Sequence, residues 1–168
     1  MVPEFTALLP DNTQDRYGII AEYLLNDRKE GCRMDKLQIV AKKKNLDAVN
    51  EFINAKLNEV ECLPQTRMQI DLAVEEIFVN IASYAYCPDE GPVTIQVTVE
   101  DAPIRVILTF VDKGKPFDPL AKKDADVTLP PEKREIGGLG IFLVKKTMDS
   151  VKYEYKDGQN ILTVVKNV

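Results

Sequence analysis

The stretch "VTIQVTVEDAPIRVILTF", residues 93–110, contains two runs in which apolar and polar side chains alternate. In the first run the valines and the isoleucine share one face, and the polar residues share the other. The turn "DAP" follows, and the second run repeats the alternation. Two such runs joined by a short turn predict an antiparallel hairpin with one buried face.

Two helices are predicted upstream of the hairpin. The segment "NLDAVNEFINAKLNEV" has apolar residues at helical spacing, with Asn45 as its expected N-cap. It follows "KLQIVA", a short predicted strand over 36–41. Pro64 interrupts the chain, and a second helix with a broad apolar stripe is predicted over about 66–86, with Thr66 near its start.

A long loop, a helix and two strands are predicted downstream of the hairpin. Residues 112–137 are polar and contain several prolines, and loops of that length inside a compact domain are often functional lids. A helix is predicted over about 139–148, followed by two strands around an Asp157-Gly158 turn. This order of elements predicts an α/β (α+β) two-layer sandwich, in which the helices lie on one face of the sheet.

The first 33 residues differ from the rest of the chain. They contain two early prolines, scattered charges and one predicted short helix around Tyr17–Leu25. The segment is compatible with a docking arm, with a helical addition to the core, or with sequence upstream of a start at Met34. We therefore divide the chain into an N-terminal extension, 1–33, and one domain, 34–168.

Composition and charge argue against several classes of protein. The net charge of −5 and the pI near 4.9 leave no basic footprint for DNA or RNA. The chain has no histidine and three widely spaced cysteines, which argues against a disulfide framework, a zinc site and a Ser-His or Cys-His nucleophile. No run approaches about 18 apolar residues. The N-terminus lacks a signal-peptide pattern, so we expect a cytoplasmic location.

Two polar residues lie in the largely apolar part of the second predicted helix. In "EEIFVNIASYAY", Glu76 and Asn80 are four residues apart and therefore project from one face, one turn apart. Near a phosphate, an amide oxygen can hold a hard cation such as Mg²⁺ while a carboxylate takes a proton. An ordinary solvated pair is the alternative, although an asparagine in so apolar a segment needs a partner.

The stretch "VDKGKPFDP" places Asp112 at the end of the second hairpin strand and Gly114 two residues later. A carboxylate that only accepts hydrogen bonds can take the exocyclic N–H of adenine, and a glycine lets the backbone come close to the ring. A simple turn is the alternative, because Asp-x-Gly and Lys-Pro are common in turns.

Three glycines, Gly137, Gly138 and Gly140, precede the last predicted helix in "REIGGLGIFLVKK". Gly138 and Gly140 fit the first two positions of the Rossmann G-x-G-x-x-G pattern, but the third is missing, and no P-loop string is present. Bare backbone N–H groups at a helix start still favour an anion through their geometry and the helix dipole. A flexible hinge before a core helix is the alternative.

Taken together, "EEIFVNIASYAY", "DKGKPFDP" and "REIGGLGIFLVKKTMD" resemble the N-box and the two glycine boxes of the GHKL (Bergerat) ATPase superfamily. Their order and rough spacing match, with the ATP lid between the glycine boxes. The most similar branch is the anti-sigma-factor serine kinases of the RsbW type. The resemblance runs from about residue 36 to 168. It implies the Bergerat ATP-binding fold, a mixed and mostly antiparallel sheet with helices on one face.

The resemblance also implies roles for individual residues. Asn80 would coordinate Mg²⁺ at the phosphates of ATP. Glu76 would be the general base that accepts the proton of an attacking serine hydroxyl. Asp112 would bind the adenine amino group, with Gly114 beside it.

The same resemblance assigns the phosphate end of the site to the region after the hairpin. Gly138, Leu139 and Gly140 would contact the phosphates, and residues 119–137 would form the lid over them. Arg134, in that lid, would interact with the γ-phosphate, because positive charge there stabilises the transferring group.

The implied function is that of a bacterial ATP-dependent serine/threonine kinase acting by partner switching. Such a protein binds a sigma factor, or instead binds a STAS-type antagonist protein and phosphorylates it on serine. We expect a homodimer with no direct contact to nucleic acid or membrane. Tyr84 is a departure, since anti-sigma kinases often have a histidine there. One rival hypothesis is a catalytically silent regulatory module that binds ATP, and a second is that residues 1–33 dock the chain to a signalling partner. Glu76 favours retained catalysis, because a protein that only binds nucleotide has little need of a base there.

Overall fold

The computed structural model of the chain describes residues 22–25, 32–121 and 138–168. Their strands form one sheet in the spatial order β1-β2-β3-β4-β6-β5. Every described strand pair is antiparallel, which agrees with the expected mostly antiparallel sheet; no parallel pair that would make the sheet mixed occurs among the described strands. The strands are β1 (Glu22–Leu25), β2 (Cys32–Val40), β3 (Pro92–Asp101), β4 (Ile104–Asp112), β5 (Ser150–Lys156) and β6 (Gln159–Asn167).

The predicted hairpin is confirmed as the pair β3 and β4, at the centre of the sheet. Its register runs from Val93 opposite Asp112 to Asp101 opposite Ile104. The alternation is also confirmed over Val93–Val99 and Val106–Asp112, where every second residue is buried and those between are partly exposed, whereas Ile104, next to the turn, is exposed. The side chains on one face of this hairpin are therefore buried, and those on the opposite face are partly exposed to solvent.

Three helices pack on the covered face, which confirms the two-layer α/β architecture. They are α1 (Leu46–Leu57), α2 (Pro64–Asn80) and α3 (Leu139–Thr147). Their apolar sides and the inward side chains of the strands form one core that includes Phe52, Phe78 and Phe110, each almost fully buried. Burial of such a side chain contributes about 1.5–3 kcal/mol to folding. This core fixes α2 and α3 against the central strands.

The helix ends differ in detail from the predictions. Asn45 stands at the N-cap position of α1, but its amide donates to the Val40 carbonyl oxygen (2.9 Å) and makes no capping bond. Helix α2 begins at Pro64, because proline is tolerated in the first turn, where no intrahelical N–H bond is lost. After Asn80 the helix continues as a π-helical turn, Ile81–Ala85, a geometry frequently found at functional sites.

The helix predicted around Tyr17–Leu25 is wrong where the structure describes it, since Glu22–Leu25 is strand β1. This segment pairs with β2, whose free edge offers unpaired backbone N–H and C=O groups that override local helix preference. Strand β2 itself begins at Cys32, earlier than the predicted 36–41. The boundary between an extension, 1–33, and a domain stays a prediction.

None of the described helices is long and apolar enough to cross a membrane.

Candidate functional site

A cavity of about 310 Å³ opens between the C-terminal end of α2, the end of β4, the start of β6 and the start of α3. Its volume lies at the lower end of the range of small-molecule sites. Isoleucine and leucine side chains form much of its wall, and a few polar groups converge on it. The polar and aromatic residues among its lining are Asn80, Tyr84, Asp112, Lys115, Phe117, Tyr153 and Asn160.

The structure brings Asn80 and Asp112, predicted from separate motifs, to the same cavity. Asn80 is the last residue of α2 before the π-helical turn, and Asp112 is the last residue of β4. Asn80 is half-buried and makes no side-chain hydrogen bond to other described residues, so its amide is available to a ligand. Packing of α2 on the central strands explains why residues 32 positions apart meet here.

Asp112 is a buried carboxylate, with 5% of its surface exposed. Its Oδ1 accepts the backbone N–H of Gly114 (2.8 Å) and the side-chain amide of Asn160 (2.9 Å). Within the described chain no hydrogen bond is made to Oδ2. A buried acceptor beside an apolar cavity needs a donor, and the exocyclic amino group of adenine is one.

Asn160 is a site residue that the sequence reasoning missed. It lies on β6 with 7% of its surface exposed, and it lines the cavity beside Asp112. A signal was present, because Asn160 is in phase with the buried residues Leu162 and Val164 on the covered face of the sheet. An amide at an inward strand position requires polar partners.

Gly114 is held against the π-helical turn. A Cβ at this position would lie 2.6 Å from the carbonyl carbon of Ala85, and the Lys115 N–H donates to the Ala85 oxygen (2.8 Å). The absence of a side chain therefore has a packing reason that the sequence did not reveal. Its predicted approach to the adenine ring stays a prediction.

The hydroxyl of Tyr86 ties the same turn to β3. It donates to the carbonyl oxygen of Pro92 (2.6 Å) and accepts the N–H of Lys113 (2.8 Å). Burial raises the pKa of Tyr86, with the Lys113 hydrogen bond acting in the opposite direction. The turn after Asp112 is therefore anchored to the π-helical turn through Ala85 and to β3 through Tyr86.

Glu76 and Gly140 are in direct contact. A Cβ on Gly140 would overlap the Glu76 carboxylate, 2.5 Å from its Cδ atom. Gly138 precedes α3 with a left-handed backbone (φ 95°), and its oxygen accepts the first helical hydrogen bond, from the Phe142 N–H (3.0 Å). The predicted base thus lies at the first turn of the predicted phosphate-binding helix.

Leu139 begins α3 with 43% of its surface exposed, whereas Ile141, two residues later, lines the cavity. Arg134, Gly137 and most of the predicted lid, 119–137, lie outside the described residues. The predicted roles of these residues, and of Gly138 and Gly140 toward phosphate, remain predictions.

Two exposed aromatic rings stand at the cavity. Tyr84 is 69% exposed and Phe117 is 53% exposed, although both line it. No group of three or more histidine, cysteine or acidic side chains that could hold a metal ion occurs in the described parts of the chain.

Comparison with known proteins places the chain among ATPase domains. Residues 39–166 match the family model of the histidine kinase-like ATPase domain. The serine/threonine-protein kinase BtrW of Bordetella bronchiseptica is 28% identical over 101 residues, which is 60% of this chain and 70% of BtrW. The serine-protein kinase RsbW of Listeria monocytogenes is 31% identical over 98 residues, 55% of this chain and 61% of that protein.

A further relative is the serine-protein kinase RsbW of Bacillus cereus, 28% identical over 95 residues. That match covers 54% of this chain and 58% of the relative. The chain thus spans less than two thirds of the RsbW proteins it matches.

Proposed function

Because the chain belongs to the histidine kinase-like ATPase domain family, we propose that it is an ATP-dependent protein serine kinase with its active site at the cavity beside Asp112. The observation that carries the proposal is the convergence of three motifs on one place. Asn80 and Asp112 line one cavity, and Glu76 touches Gly140 at the start of α3. Sequence similarity to proteins named as serine kinases supports the chemistry.

The adenine end of the site is the apolar cavity itself. Asp112 presents Oδ2 as an acceptor for the exocyclic amino group, since Oδ1 is already engaged by Gly114 and Asn160. Isoleucine side chains around it, including Ile77 and Ile141, suit the faces of a planar base. Adenine is favoured over guanine because guanine presents a carbonyl oxygen at the equivalent ring position, which would face the carboxylate.

The phosphate end would lie toward the start of α3, where the helix dipole and free N–H groups favour negative charge. Magnesium fits the donors present: Mg²⁺ in kinases is held by one or two protein oxygens together with the phosphates, and Asn80 offers an uncommitted amide oxygen. When bound, the ion would neutralise charge on the transferring phosphoryl group. Asn80 would hold it, since it is the polar residue of α2 that faces the cavity.

Glu76 would act as the general base. One turn before Asn80 on α2, its carboxylate has no hydrogen bond or ion pair with the rest of the described chain. It would accept the proton of a serine hydroxyl as that oxygen attacks the γ-phosphorus and the bond to the β-phosphate oxygen breaks. Contact with Gly140 limits where the carboxylate can go, which favours one orientation toward the incoming serine.

The partners are proposed from the resemblance to RsbW-type kinases. The substrate would be a serine of a STAS-type antagonist protein, and the competing partner would be a sigma factor, so that the chain would regulate transcription by switching partners. We further propose a homodimer that acts in the cytoplasm, with residues 34–168 as the ATP-binding kinase domain. The alternative is a regulatory module that binds ATP without transferring phosphate.

Incubation with γ-labelled ATP, Mg²⁺ and STAS-type proteins encoded near the gene tests the proposal. We expect label on a serine of one of these proteins with the wild-type chain and none with Glu76→Gln. ATP binding without transfer to any of them would favour the silent regulatory module. Absence of ATP binding would reject both functions.

A further inference from the structure

The side-chain amide of Asn160 uses its whole hydrogen-bonding capacity inside the protein. Its Oδ1 accepts the Tyr153 hydroxyl (2.7 Å) and the backbone N–H of Phe117 (3.2 Å). Its Nδ2 donates to Asp112 Oδ1 (2.9 Å) and to the Lys115 carbonyl oxygen (3.1 Å). A carboxamide has two donors and two acceptor lone pairs. Although it lines the cavity, Asn160 therefore has nothing further to offer a bound base.

The partners also fix which way the amide points. The Phe117 N–H can only donate and the Lys115 carbonyl can only accept. A flipped amide would set two donors against each other at Phe117 and two acceptors against each other at Lys115 and at Asp112. Asn160 must therefore turn its N–H₂ group toward the carboxylate.

This orientation of the Asn160 amide fixes the rotation of the Asp112 carboxylate group. A carboxylate torsion is broad and roughly two-fold, so the group is poorly fixed without partners. Here Asn160 and the Gly114 N–H both bind Oδ1, from β6 and from the turn after β4. The carboxylate is thereby held in one orientation, and Oδ2 is left as its open acceptor.

We propose that Asn160 is a positioning residue for base recognition: it holds the Asp112 carboxylate so that Oδ2 meets the amino group of adenine. This inference rests on the proposed ATP binding. Tyr153 acts one step further out, because its hydroxyl holds the Asn160 oxygen. The same amide also bonds the backbone at Lys115 and Phe117. One side chain therefore holds both the carboxylate that recognises the base and the backbone of the turn after Asp112.

Comparison of ATP with ITP probes this contact, because the substituent at purine C6 is amino in ATP and oxo in ITP, and N1 changes with it from an acceptor to an N–H donor. We expect Asn160→Ala to lower the ATP-to-ITP affinity ratio by about tenfold or more, the size associated with hydrogen bonds to charged groups. Thr163→Val is the matched control. Thr163 lies on the same strand but the opposite face, bonded to Thr109 (3.2 Å), and its loss should leave the ratio unchanged.

A double-mutant cycle separates positioning from a general packing defect. If Asn160 acts through Asp112, then Asn160→Ala should not change the ATP-to-ITP ratio any further once Asp112→Ala is present. An equal drop in the ratio in both backgrounds would overturn the inference. An unchanged ratio in the single Asn160→Ala variant would overturn it as well.

Tyr153→Phe keeps the test open if Asn160→Ala does not fold. This variant retains the ring and removes the hydroxyl, and we expect a fall in the ratio of about threefold, which corresponds to the loss of one neutral hydrogen bond. A ratio equal to that of the wild type in a folded Tyr153→Phe chain would contradict the inference. Failure of the wild type to bind either nucleotide would instead reject the proposed function, so the two failures are distinguishable.

Discussion

The carboxylate of Glu76 lies directly against Gly140, so that a Cβ on residue 140 would stand 2.5 Å from the Glu76 carboxyl carbon. This contact joins α2 to the first turn of α3. Gly140→Ala should displace the carboxylate and lower phosphoryl transfer at least tenfold, because small errors in placing a catalytic group are costly. Turnover with γ-labelled ATP measures the effect.

Gly138→Ala provides the comparison for that variant. A Cβ at position 138 would meet no atom of the described residues within 4 Å, but the left-handed backbone (φ 95°) is unfavourable for alanine. We expect a loss of about 1–2 kcal/mol in the free energy of unfolding. If Gly140→Ala also loses stability while the transfer rate of its folded fraction is unchanged, the contact has no catalytic meaning.

Glu76→Gln should abolish phosphoryl transfer while largely sparing ATP binding. An amide cannot accept the serine proton, and removal of a general base commonly lowers the rate by about 10²–10⁴-fold. Glu75→Gln, at an exposed position on the same helix, is the matched control and should transfer phosphate normally. Equal loss of binding and transfer in Glu76→Gln would reject the role of general base.

Asn80→Ala should weaken nucleotide binding mainly when Mg²⁺ is present. The amide oxygen of Asn80 is the proposed protein ligand at the cavity, so the variant loses a metal contact and keeps the base-binding wall. Calorimetric titration with ATP, with magnesium and with a chelator, gives the two affinities. Asn80→Asp serves as a second variant, because it alters the ligand at nearly constant volume. The metal assignment fails if both variants lose the same affinity in the chelator as in magnesium.

Tyr86→Phe should destabilise the protein by about 1 kcal/mol at neutral pH, since the Pro92 oxygen and the Lys113 N–H lose their common partner. Burial raises the pKa of Tyr86 above the ordinary value of 10.0 for a tyrosine, so the folded state favours the neutral phenol. The Tyr86 hydroxyl therefore makes its whole contribution to the free energy of unfolding below pH 10, and this contribution declines as the pH rises through the folded-state pKa.

Urea unfolding of both chains at pH 7 and above pH 10 measures this effect. The stability difference between wild type and Tyr86→Phe should narrow at the higher pH. Tyr155→Phe, which removes a hydroxyl from a half-exposed ring, controls for the loss of a phenol. A difference that widens at high pH would show that the Tyr86 hydroxyl is not the stabilising group.

The central hairpin could be predicted because apolar and polar residues alternate in both runs, and one register buries the inward side chains from Val93 to Val99 and from Val106 to Phe110. The strand Glu22–Leu25 could not be predicted in the same way. Four residues carry little periodicity, and the free edge of β2 decides their conformation. The π-helical turn after Asn80, which packs against Gly114, was likewise not predicted from the sequence.

The motifs predicted which residues would meet at the site but did not identify the side chains that hold those residues in position. Asn80 and Asp112 line one cavity, as the combined pattern indicated. Asn160 was not predicted as a site residue, because its partner Asp112 is 48 positions away in the sequence and only the folded sheet brings the two together. Its inward phase on β6 could have identified it, since a buried amide among aliphatic residues requires an explanation.

Binding of adenine at Asp112 is the central claim, and calorimetric titration of ATP and ITP with Mg²⁺ into wild type and Asp112→Asn tests it most directly. We expect one ATP per chain and a clear preference for ATP in the wild type. In Asp112→Asn, Asn160 and Gly114 still donate to one position, so the new N–H₂ group should face the base and at least tenfold of that preference should be lost. A wild type that binds no ATP, or an Asp112→Asn chain with its preference intact, would contradict the account.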